Sequence, residues 1–146
     1  MEFVNRVVNA VVHLHPWHAL IVHFPVALTA VGLLFIFLAL WRRSERYEYF
    51  AFLNMVLVAI STPVAGLAGL RDHFVRFGGE TPHVNAKIFL GSSLLLLASV
   101  TALARYRKTD VLWNPSSRIL YVSAYVGGFL LATVLGFIGG VILYGF

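Results

Sequence analysis

Four long stretches of this chain contain no Asp, Glu, Lys or Arg: Ala19 to Trp41, Tyr49 to Leu70, Ile88 to Ala104 and Ile119 to Phe146. A helix of roughly 20 such residues crosses the hydrocarbon of a bilayer, where a lone segment can satisfy its backbone polar groups only by coiling. Four blocks within 146 residues leave little chain for a soluble unit. The reading is one all-α membrane domain over residues 1–146, an integral four-helix bundle. Composition agrees, with 60% hydrophobic and 12% charged residues. A soluble domain of this size needs far more polar surface.

The spans are expected at about 17–41, 48–70, 82–104 and 117–144. Pro16 precedes the first, where its missing N–H costs little. Pro25 lies inside it and should kink it or leave a local irregularity. Ser61, Thr62 and Pro63 mark a bend in the second. Gly78-Gly79 reads as a turn, and Thr81-Pro82 as an N-cap followed by a first-turn proline. Glycines along the fourth span leave flat faces for close helix packing. Residues 1–14 form an arm: Phe3, Val4, Val7, Val8, Val11 and Val12 share a helical stripe opposite more polar positions. That pattern fits a short amphipathic helix lying in the membrane interface, or an arm packed on a partner, rather than a cleavable leader.

The charges orient the bundle. Arg42, Arg43, Arg46, Arg105, Arg107, Lys108 and Arg118 flank one end, and Arg6, Arg71, Arg76 and Lys87 the other. Seven against four, by the positive-inside rule, puts both termini outside a cytoplasmic (inner) membrane. The net charge of +5 is spread over short loops, which suits topology rather than nucleic-acid binding. The chain has no cysteine, which excludes disulfides, thiolate metal sites, Cys-bound iron–sulfur clusters and covalently attached c-type haem.

All six histidines fall at the expected outer face. His13, His15, His18 and His23 precede or open the first span, His73 follows the second, and His83 opens the third. His18 and His23 lie about 140° apart on a straight helix and so should not share one ligand position. His23, between Val22 and Phe24, reads as the more buried; a backbone carbonyl freed by Pro25 is its bland partner. Two histidines on facing first and third spans suit bis-imidazole haem b, with Arg71, Arg76 and Lys87 available to the propionates. His23 and His83 are the expected axial pair, with His18 as the main substitute. His13, His15, His18 and His73 also admit an outer-face copper or zinc site, and a purely structural role without cofactor remains open. No Asp, Glu or Lys falls inside the apolar blocks, which argues against an ion-coupled transporter.

The segment HPWHALIVHFPVAL resembles the hallmark of a family of small four-helix membrane proteins catalogued as a domain of unknown function. Its first span opens H-P-x-x-V-H-F-P-I-A-L, matched here by His18, Val22, His23, Phe24, Pro25, Ala27 and Leu28. Ala19 replaces the family's proline. GLAGLRDHF is similar to the family's second-helix end, His83 to a histidine opening its third helix, and GFIGGVILYG to its last motif without the usual histidine. Members are sometimes fused to Rieske modules. The resemblance therefore implies a cytochrome-b-like, quinone-linked subunit of a larger membrane complex, exchanging electrons with an outer-face redox protein. The rival expectation is a structural or assembly subunit of such a complex.

Overall fold

The computed structural model describes residues 2–9 and 17–144. Among the described residues six helices run α1 (Glu2–Asn9), α2 (Trp17–Ile21), α3 (His23–Arg42), α4 (Glu45–Val75), α5 (Val84–Arg107) and α6 (Pro115–Tyr144). No strand occurs among the described residues. The all-α reading holds, as does the short N-terminal helix, which presents Phe3, Val4, Val7 and Val8 as exposed side chains.

The first span is two helices because of Pro25. Pro25 has no N–H to give the Ile21 carbonyl, and the helix breaks one turn earlier, at Val22. The next bond, from Val26 N–H to Val22 O, is stretched to 3.4 Å. Helix α3 ends at Arg43, whose backbone is left-handed at φ 50° and ψ 48°. Only Arg43 and Ser44 separate α3 from α4. At the next connection Gly78 and Gly79 take positive φ, as a turn there requires. Thr81 does not cap α5: His83 holds that position at φ 57°, and the Thr81 hydroxyl lies 2.7 Å from His73 Nδ1 instead. Asn114 caps α6 through its Oδ1, which accepts from Ser116 N–H at 3.1 Å, with Pro115 as first helical residue.

The α2–α3 pair, α4, α5 and α6 are each long and apolar enough to cross a membrane. Less than a third of each apolar window is buried inside the protein. The rest is an apolar exterior, with Leu34, Phe37, Leu67, Phe89 and Phe137 exposed. In water such a surface would aggregate; in hydrocarbon it is ordinary. Inside, small and polar residues recur every three or four positions. On α4 the buried stripe is Glu48, Ala51, Met55, Val58, Thr62, Ala65, Ala68 and Asp72. On α3 it is Pro25, Thr29, Gly32, Ile36 and Ala39. Helix α3 packs on α4 and α6, and α5 packs on the same two. The first and third spans are therefore diagonal across the bundle.

Candidate functional site

The end of the bundle near α2 gathers ionisable groups from three helices. Helix α2 begins against the C-terminal part of α4, and its early N–H groups have no partner within the helix. One of them, His18 N–H, donates to Asp72 Oδ2 at 3.0 Å. Asp72 is buried, and its other oxygen accepts from Arg71 Nη1 at 2.9 Å. Arg71 in turn lies 5.3 Å from the Trp17 ring centroid. One carboxylate thus closes a helix start and holds a cation at the bundle rim.

The His18 ring lies over the α4 backbone. Its Nδ1–H donates to the Ala65 carbonyl at 2.8 Å. A carbonyl oxygen can only accept, so Nδ1 carries the proton and Nε2 is left as a lone pair. Lys87 Nζ, on α5, stands 3.1 Å from that nitrogen. The ring can approach α4 because residue 69 is glycine: a Cβ there would sit 2.9 Å from His18 Nδ1. Gly139 of α6 comes up to the same place, its would-be Cβ 3.9 Å from Lys87 Nζ. At Gly91, Gly136 and Gly140, all half-buried, a Cβ would meet nothing within 4 Å.

The histidines singled out in the sequence are placed unevenly. His18 is half-buried and makes three polar contacts. His23 and His83 are both exposed, and neither ring hydrogen-bonds another described residue. The sequence reading of His23 as the more buried is therefore reversed. Its apolar neighbours report lipid rather than protein interior, since a membrane helix is apolar on its outer face as well. His73 pairs with Thr81, and its ring meets that of Phe74 at a tilt of 59° with centroids 4.9 Å apart. His13 and His15 lie outside the described residues. Among the described residues no three His, Cys, Asp or Glu side chains converge as a metal site. Arg71 and Arg76 stay at the rim, the latter 6.0 Å from the Phe77 ring. Lys87 turns inward to His18 and away from the rim role expected of it.

A second polar cluster, at the opposite end, was not foreseen. Glu48 is fully buried and accepts from Arg105 Nε on both oxygens, at 2.7 and 2.9 Å. The Tyr121 hydroxyl donates to Glu48 Oε1 at 3.1 Å and lies 3.1 Å from the Tyr125 hydroxyl. The apolar blocks stopped short of these groups because the helices overrun them: Glu48, Asp72, Lys87 and Arg105 are all helical. The signal that would have found them is the inner stripe. Continued at the same spacing, it begins and ends in acids on α4 and runs from Lys87 to Arg105 on α5.

An all-α, four-span bundle with an apolar exterior and ionisable groups at both inner ends is a polytopic membrane protein by class. The chain belongs to the family described as predicted membrane protein (DUF2231), whose pattern matches residues 14–146. Comparison with functionally described proteins and with solved structures gives no match.

Proposed function

We propose that this protein is a haem-b-binding membrane subunit that carries electrons, with His18 as the residue that holds the iron. One observation carries the reading. The half-buried His18 ring has Nδ1–H fixed on the Ala65 carbonyl, so that its only lone pair, on Nε2, is turned across the bundle toward Lys87 Nζ, 3.1 Å away. Metal-bound imidazoles are held in this way, the second-shell carbonyl setting the tautomer and raising basicity. The donor set fits haem better than a bare ion, for His18 stands without the other two ligands that zinc or copper wants from protein. Open glycine positions at Gly91, Gly136 and Gly140 suit a flat macrocycle. The exposed His23 and His83 do not suit an interior axial pair.

The haem would supply one-electron chemistry; the rest falls to the chain. Ala65 orients the imidazole. Gly69 lets it enter. Asp72 anchors the backbone of His18, and Lys87, which stands on Nε2, is the group that the iron would displace. Arg71 and Arg76 supply cationic side chains at the rim, where propionates would lie. A quinone and an outer-face redox protein as electron partners, and membership of a larger complex, rest on the resemblance to Rieske-linked proteins.

The test is a visible spectrum of the purified protein with dithionite. A Soret band with sharp α and β bands is expected. It should be lost in His18→Ala and kept in His23→Ala and His83→Ala. A featureless spectrum from protein produced with ample haem would overturn the proposal; His18 and Lys87 would then read as a structural tie in an assembly subunit. Loss of the bands in His23→Ala and His83→Ala, but not in His18→Ala, would move the iron to the histidines at the bundle surface.

A further inference from the structure

The arginine-rich end of the bundle contains a cavity of about 460 Å³ lined by Leu40, Arg43, Trp113 and Arg118. It lies between the C-terminus of α3, the loop before α6 and the first turn of α6. Three features of its lining agree. The indole Nε1–H of Trp113 is buried and has no hydrogen-bond partner among the described residues. An unpaired buried donor costs about 1–3 kcal/mol and calls for an acceptor. Arg118 is fixed by donating Nε–H to Leu112 O at 3.1 Å and Nη2–H to Trp113 O at 3.3 Å. A guanidinium has five N–H donors, so others remain for a ligand. The Arg43 guanidinium makes no hydrogen bond or ion pair with a described residue, and its backbone, whose N–H donates to Ala39 O, occupies a left-handed position that glycine fills at least cost.

We infer that this cavity binds the phosphate headgroup of an anionic phospholipid, with Arg43, Arg118 and the Trp113 N–H as donors. The chemistry is that of a phosphate monoanion: two guanidiniums supply charge and paired donors, and an indole N–H gives a third direction. A lipid is the source that fits the place. The cavity opens beside an apolar bundle exterior, Leu40 lines it, and anionic lipids concentrate at the basic ends of membrane spans. The left-handed arginine gives a direct handle. Arg43→Gly removes a donor while easing the backbone, so a loss of binding there is not a loss of fold.

The experiment follows the indole ¹H–¹⁵N resonance of Trp113, assigned by its absence in Trp113→Phe, in phosphatidylcholine nanodiscs. Added phosphatidylglycerol should shift it saturably. Arg43→Gly and Arg118→Gln should each weaken the apparent affinity roughly tenfold, the scale of a charge-assisted hydrogen bond, while far-UV circular dichroism stays unchanged. Inorganic phosphate at the same concentration should leave the resonance in place. A response to phosphate but not to the lipid would overturn the lipid assignment. No response to either, or an equal lipid response in Arg43→Gly, would overturn the site.

Discussion

At the scale of single residues, His18 and Gly69 are one unit. The ring reaches the Ala65 carbonyl only because nothing projects from residue 69. Gly69→Ala would place a methyl 2.9 Å from Nδ1 and push the imidazole off α4. The expected cost is about 1–3 kcal/mol, seen as a lower melting temperature in detergent. Gly66→Ala is the control, since a Cβ there meets nothing within 4 Å. It should be neutral or stabilising by up to about 1 kcal/mol, through helix propensity alone. Equal melting temperatures for the two variants would mean that the His18 ring does not lie where its contacts indicate. Little of this was legible in the sequence. Pro25 announced an irregular first span and His18 stood among the candidates, but a histidine's depth is not written in its neighbours when lipid and protein interior are equally apolar.

At the scale of elements, α4 and α5 carry matched charges at both ends of their inner stripes. Glu48 and Asp72 lie about 36 Å apart along α4, near the two rims of a hydrocarbon layer of about 30 Å. Antiparallel packing brings Arg105 to the first, while Lys87 and Asp72 meet on His18. Charge order along two neighbouring helices thus encodes their register. Glu48→Gln would leave Arg105 with a neutral partner and should cost about 3–5 kcal/mol. The double variant Glu48→Gln with Arg105→Met should recover most of that loss, because a buried pair exchanged for uncharged groups is often neutral. Additive losses in a double-mutant cycle would show that the two side chains are not coupled. The four long apolar helices were legible, as uncharged runs are easily seen. Their charged ends were not, because a charge in sequence looks like a loop until a partner helix is known.

At the scale of the whole molecule, the bundle exterior is a solvent boundary, and the positive-inside rule applied to the basic residues predicts its direction. The chain lacks cysteine, so single cysteines can report that direction without background. A cysteine at Gly79 should react with a membrane-impermeant maleimide in intact cells, and one at Thr109 only after permeabilisation. The reverse pattern would turn the molecule over and place the His18 end on the cytoplasmic side. The ring of helix contacts also says how the first and third spans face each other. The first and third spans are diagonal, so a group held between them stands on the bundle axis, with α4 and α6 as its side walls. Hydropathy locates spans but is silent on which become neighbours; that depends on the small-residue stripes and on the charges that end them.

The two-residue joint of Arg43 and Ser44 bears on how the protein is made. So short a link lets α3 and α4 enter the bilayer only as a hairpin, the second span following the first before it has settled. That hairpin arrives with a buried carboxylate at its tip, and the arginine that neutralises it is 57 residues further along the chain. At ordinary rates of synthesis the wait is on the order of several seconds. Through that interval Glu48 lacks the guanidinium that holds it in the finished bundle, and its place near the rim leaves water and headgroups to solvate it. The pairing of the second span is thus completed only when the third has been made.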